Sequence, residues 1–357
     1  MLAYLMVMVV VVIVSTIASI TRSSFIRHVM LGIAFLAMVL VPGLRDASVG
    51  TDTSNYVGYF ERIRTFADVA RLGVETQEYG FWVITWLVHF ISDQYVALFI
   101  TIAVIVISCY QYVIVTYSRN ITVSFFLLFT SGVYTFFFNG ARQGVACAIY
   151  SLTIGPLLKH KLLQYLTLVI VASLFHKTAI GMLPLYFIFN RPNNFRGNMI
   201  IAALGIVTSI FFKGIIGTAS NVLDPRYSGY AAQEASGGYF VVGLDVVFLM
   251  FFVFFKKHVA EYREEYDRYL NMLFFGTMIG VVSSVAGVDP SGFLRFAFYS
   301  SLSTVLLWPI VFKNMPERLP KFVVGFVFIF GFIILYTLET IRFSNLTSFR
   351  FNTSLGF

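Results

Sequence analysis

The feature that most constrains this chain is a succession of apolar runs separated by short basic loops. The runs occupy roughly 2–20, 29–43, 80–91, 95–116, 121–138, 142–158, 162–175, 179–190, 198–217, 240–255, 270–287, 293–312 and 322–341. A straight helix crosses the hydrocarbon of a bilayer in about 20 residues at ~1.5 Å each. With 58% of residues apolar and only 12% charged, the chain reads as an all-α, polytopic integral membrane protein. A few residues conflict with that solvent. Arg142, His176-Lys177 and Arg295 stand at or inside apolar stretches, where a central arginine costs about 2.5–3.5 kcal/mol on insertion scales. Residues that expensive line a polar cavity, pair with one another, or bind something charged.

The 357 residues are read as a single polytopic domain, 1–357. Its net charge of +8 is no argument for nucleic acid, because most basic residues fall in short loops between apolar runs. That is the pattern of cytoplasmic orientation signals. Cys109 and Cys147 lie within apolar runs and give no disulfide framework. The first run has its positive charges, Arg22 and Arg27, after it and not before, and lacks a small-residue cleavage site. It is expected to be a retained helix with its N-terminus outside.

Parity of the basic loops sets the topology. Arg22/Arg27, Arg119, Lys159/Lys161, Arg191/Arg196, Lys256 to Arg268 and Lys313 to Lys321 share one side only if 80–91 does not cross. About twelve transmembrane helices plus one re-entrant or interfacial helix follow. The aromatics of Tyr79-Gly-Phe-Trp-Val-Ile-Thr-Trp suit an interface. Residues 162–190 become two short crossings hinged at His176-Lys177. Segments 44–78 and 218–239 become the long outer loops.

With that topology the costly residues gather on the outer side. They are Arg45, Asp52 and Tyr56 in the first outer loop, Arg142 and Gln143, His176-Lys177-Thr178, Asp224-Pro-Arg226-Tyr227, and Asp289 before Arg295 and Tyr299. If the segment is helical, Asn139, Arg142 and Gln143 fall at i, i+3 and i+4 and share a face. Each has a plainer reading: Arg142 as partner of a carboxylate or of carbonyls, Arg295 as a snorkelling arginine, His176 as a satisfied hinge, Asp52 as a helix cap. Their shared side favours a site. Guanidinium forks match phosphate oxygens, so a pyrophosphate-linked lipid is a natural ligand. No metal-ligand spacing, Walker loop or dinucleotide fingerprint occurs, so no metal and no cofactor is expected.

Taken in order, Gly43-Leu-Arg45-Asp, Gly50-Thr-Asp52-Thr-x-x-Tyr56, Glu78-Tyr-Gly-Phe, Ala141-Arg142-Gln143-x-x-Ala146 and Phe175-His176-Lys177-Thr-Ala179 resemble the EpsG-like family of bacterial polysaccharide polymerases, which includes Wzy-type O-antigen polymerases. The resemblance spans most of 40–190 and, more loosely, the Arg295 helix. It implies a metal-independent glycosyltransferase with a GT-C-like membrane fold, acting at the periplasmic face of the bacterial inner membrane. Donor and acceptor would be undecaprenyl-pyrophosphate-linked oligosaccharides, and a chain-length-determining co-polymerase is an implied partner beside membrane lipid. Arg142 and Arg295 are then expected to stabilise the departing pyrophosphate, with Asp52 or His176 as base. Arg45, Gln143, Lys177, Arg226 and the tyrosines Tyr56, Tyr227 and Tyr299 are the candidates for binding substrate. The competing readings are a flippase or transporter of lipid-linked oligosaccharide, an O-antigen ligase, and a membrane O-acyltransferase.

Overall fold

The computed structural model describes residues 2–219, 239–285, 293–316, 321–342, 346 and 348–352. Among them the regular structure is helical, and the extended pairing consists of one antiparallel bridge between Arg45 and Phe351. Five stretches of the described residues are long and apolar enough to cross a membrane: Leu2–Ile20, Ser24–Gly43, Tyr95–Tyr117, Ile121–Asn139 and Phe296–Lys313. The chain is thus an all-helical membrane protein by length and composition. It divides into two compact units, Met1–Leu183 with Pro316–Phe357, and Pro184–Met315.

The first unit begins with α1 (Leu2–Ile20) and α2 (Ser24–Gly43). The Ser23 hydroxyl accepts the Ile26 N–H and starts α2 at the end of a short turn. Next come α3 (Thr53–Arg62), α4 (Phe66–Thr76) and α5 (Tyr79–Val88). Thr65 and Asp68 form a reciprocal capping box at the head of α4. The long α6 (Tyr95–Tyr117) leads to α7 (Ile121–Thr130), α8 (Val133–Asn139), α9 (Ala141–Ser151), α10 (Ile154–Leu158) and α11 (Leu162–Ser173). A 3-10 turn over Lys177–Met182 closes this part of the unit. In the unit's core α1 packs on α2 and α7, α2 on α6, α6 on α9, and α9 on α11. Large side chains fill it, and the polar tips of two buried tyrosines find carbonyls: Tyr134 donates to Met38 O at 3.0 Å and Tyr165 to Met182 O at 2.9 Å.

Several apolar runs are broken where hydropathy shows no break. The run 121–138 bends at Gly132, whose φ of 73° is left-handed. The run 142–158 is interrupted after Ser151. A further break at Gly140 (φ −105°, ψ 57°) separates Asn139 from Arg142 and Gln143. The three therefore do not share one helix face. Gly144 permits the close approach of α8 and α9 that this corner demands, since a Cβ there would lie 2.2 Å from Phe137 Cβ and 2.8 Å from its Cα. At 10 residues, α5 spans only about 15 Å, and it stops at His89.

The second unit contains α12 (Leu185–Phe189), α13 (Phe195–Ala219), α14 (Tyr239–Phe255), α15 (Arg263–Val285), a 3-10 segment Phe293–Ser300 and α16 (Leu302–Lys313). Helix α15 is its axis, packed by α13, α14, the 3-10 segment and α16. A buried polar cluster ties the ends of these helices together. Asn193 donates to Asn271 Oδ1 at 2.8 Å, and Asn271 donates to Arg191 O at 2.8 Å. Lys256 pairs with Asp267 at 2.8 Å, and Arg268 donates to Asn190 Oδ1 at 2.9 Å. The last helix, α17 (Lys321–Arg342), belongs to the first unit, where Phe328 meets Phe126 of α7 at 5.8 Å between ring centroids.

Candidate functional site

The site is organised around a residue absent from the candidates drawn from sequence, Glu78. Helix α4 ends on Gln77, which takes the left-handed conformation (φ 59°) and donates its N–H to Gly73 O at 2.7 Å. Gly73 leaves space for the Tyr79 ring; a Cβ there would fall 2.2 Å from it. The reversal puts Glu78 just before the first turn of α5, with its N–H donated to Thr76 Oγ1 at 3.3 Å. The Trp82 indole donates to the same hydroxyl at 2.7 Å. Gly80 N–H then donates to Leu174 O at 2.8 Å. That bond brings the head of α5 against the end of α11, two residues before His176.

Two of the costly residues converge on this carboxylate. Arg142, in the first turn of α9, pairs through Nη1 with Glu78 Oε2. His176 places Nδ1 2.5 Å from Glu78 Oε1. A carboxylate only accepts, so the imidazole proton of that contact sits on Nδ1. The Lys177 backbone N–H donates to the same carboxylate. Glu78 is nearly sealed, with 3% of its side chain exposed, whereas Arg142 keeps 20% and His176 14%. The acid is therefore the buried base of the cluster, and the two cationic or ionisable groups form its more accessible layer. Burial would raise the Glu78 carboxyl. The hydrogen bond and charge of His176, the charge of Arg142 and the Lys177 N–H outweigh it and hold the group below its ordinary range.

Tyr56 and Asp52 extend the cluster along α3. Tyr56 is buried, 5.7 Å from Phe81 between centroids, and its hydroxyl is within reach of the side chain and backbone N–H of Arg142. The Arg142 guanidinium also lies over the Trp82 ring at 5.5 Å. Asp52 stands at the N-cap position of α3, one turn before Tyr56, but its side chain makes no capping bond. Gln143 is buried behind Arg142.

Arg45 has a different surrounding. It is 1% exposed, and its guanidinium donates to Pro42 O at 2.6 Å, to Phe138 O at 3.3 Å and to Thr53 Oγ1 at 3.4 Å. The same group lies 4.1 Å above the Phe99 ring. Its contacts hold the 49–53 loop onto α6 and α8. Tyr299 is buried in the second unit, and the backbone of Arg295 lies in the 3-10 segment there. The Arg295 side chain, Arg226 and Tyr227 lie outside the described residues. Of the sequence candidates, then, Asp52, Tyr56, Arg142, Gln143, His176 and Lys177 gather at one place in the first unit. Glu78 carries a signal that could have been read: two cationic residues in apolar surroundings require a counter-charge. It is a carboxylate immediately ahead of a short, aromatic helix.

The family model of the EpsG family matches residues 28–352. No curated protein and no solved structure matches the chain.

Proposed function

The chain belongs to the EpsG family, and from that membership we propose that it is a membrane polysaccharide polymerase joining lipid-linked oligosaccharide repeat units. The supporting observation is the convergence of Arg142 and His176 on Glu78. It sets a cation and a proton acceptor side by side at the mouth of a buried carboxylate. Glycosyl transfer from a polyprenyl pyrophosphate needs both. The acceptor hydroxyl loses a proton as its oxygen attacks the anomeric carbon. The bond from that carbon to the pyrophosphate oxygen breaks, and the electron pair leaves with the undecaprenyl pyrophosphate. Arg142 carries a planar, always-charged guanidinium, which suits the charge that grows on the leaving group. Stabilisation that strengthens as that charge develops raises the rate, not merely the affinity.

The reading includes a topology: about twelve crossings, with α5 lying at the interface and the site facing the periplasm of the inner membrane. A cysteine placed at Ser92 reports it. Labelling from the periplasm alone is expected, and labelling from the cytoplasm alone would overturn this arrangement. The function is tested by complementing a deletion strain with wild type, Arg142→Ala or His176→Ala and displaying the surface glycan on a gel. A ladder that collapses to a single repeat unit, with protein still present, supports polymerisation. Loss of all repeat units, single ones included, would point to export or ligation instead.

A further inference from the structure

We propose that Glu78 is the positioning residue of a carboxylate–imidazole pair in which His176, through Nε2, is the base for the acceptor hydroxyl. This rests on the polymerase reading. Sequence left the base open between Asp52 and His176; the contacts around Glu78 distinguish them. His176 is fixed at three points. Its ring Nδ1 meets Glu78 Oε1 at 2.5 Å, its N–H donates to Ala172 O at 3.1 Å, and its carbonyl accepts from Ala179 at 3.0 Å. With the proton on Nδ1, a neutral ring carries its lone pair on Nε2. Asp52 has no comparable support, since its side chain does not even cap α3.

The charge balance suits this role. Glu78 is paired with Arg142, so the carboxylate is already neutralised while it orients the ring. The groups facing His176 are Glu78 from the head of α5, Arg142 from α9, and Lys177 beside it on the 3-10 turn. Tyr56 of α3 reaches the cluster through Arg142. From α11 and α9, Tyr165 and Tyr150 are committed to each other and to Met182 O, and Cys147 is buried in α9. As the acceptor oxygen attacks, its proton passes to Nε2. The imidazolium so formed lies against the Glu78 carboxylate, and the proton leaves to water once the pyrophosphate has gone. A carboxylate that fixes a ring in one tautomer and then stabilises its cation is the division of labour known from hydrolytic triads.

The test is an in vitro assay with purified protein and a synthetic polyprenyl-pyrophosphate repeat unit, in which kcat/KM is followed against pH. Wild type is expected to lose activity on the acidic side as the base is protonated. His176→Gln is expected to fall by about 10²–10⁴-fold and to lose that acidic limb. Glu78→Gln is expected to lower kcat more than it alters KM and to move the limb to lower pH, because the charge favouring the imidazolium is gone. Glu78→Asp should recover part of the rate. A uniform loss in Glu78→Gln with the limb in place would make Glu78 a purely structural residue and overturn the inference. So would an acidic limb that survives in His176→Gln. Wild type that transfers no sugar at any pH would sink the polymerase reading itself. A readout independent of turnover is nitrogen-labelled histidine NMR, with His176 assigned by subtraction of the His176→Gln spectrum. A neutral ring protonated on Nδ1 is expected; one protonated on Nε2 would overturn the pair even if the Glu78 variants do not fold.

Discussion

Thr51 donates its backbone N–H to Asn139 Oδ1 at 2.8 Å, joining the first long loop to the corner between α8 and α9 across 88 residues. The preceding Gly50 has a φ of 95°, and a Cβ on it would lie 2.3 Å from the same Asn139 oxygen. The loop thus reaches its partner only with glycine at that position. Gly50→Ala is expected to cost about 1–2 kcal/mol for the left-handed backbone alone, with the displaced amide added. Asn139→Ala should retain the backbone but release the loop. Thermal melting in detergent would show a larger drop for Gly50→Ala than for Asn139→Ala. The reverse order would mean that the loop is not held by this contact.

Arg45 separates a structural from a ligand-binding arginine. Its three acceptors and the Phe99 face enclose it, and burial lowers the guanidinium to about 10, so it remains charged at neutral pH. Arg45→Ala would leave buried carbonyls without donors, each costing about 1–3 kcal/mol. We expect reduced protein in the membrane, with Arg45→Lys a poor substitute because a point charge does not reproduce the fork. Immunoblotting beside the glycan ladder tests this. Normal protein level with a lost ladder would make Arg45 a substrate ligand.

The apolar runs made the helical membrane character legible, because long stretches without charge have few other uses. The breaks inside them were not legible. Gly132 sits inside the run 121–138, with Phe125 to Phe129 before it and Val133 to Phe138 after it, and only its backbone angles reveal the corner. The gathering of Arg142 and His176 on one site was accessible in outline, since both are expensive in lipid. Their common partner was not, because Glu78 is 64 residues from one and 98 from the other. Arg45 illustrates a further limit. An arginine ending an apolar run reads the same in sequence whether it faces a ligand or the Phe99 ring.

In the second unit Asn271 fastens α15 to the 190–194 turn, accepting from Asn193 and donating to Arg191 O. It is 2% exposed. Replacing it with leucine keeps the volume roughly but strands a donor and an acceptor at about 1–3 kcal/mol each. A fall in melting temperature is expected for Asn271→Leu. An unchanged or raised value would show that the polar cluster is dispensable to stability.

Glu78 also makes a prediction for stability against pH. Its folded carboxyl lies below the ordinary value of 4.5, so the folded state binds its proton less readily than the unfolded chain does. The resulting stabilisation is fully present above that ordinary value and is lost as pH falls through the lowered folded one. In Glu78→Gln the group no longer titrates. Melting temperatures measured on both proteins from neutral pH down into the acid range should therefore converge. Wild type would start higher, because the neutral amide of the variant cannot balance the charge of Arg142, and would fall more steeply. Parallel curves would mean that the Arg142–Glu78–His176 contacts contribute nothing that depends on the Glu78 charge, and the pairing at the centre of the site would have to be abandoned.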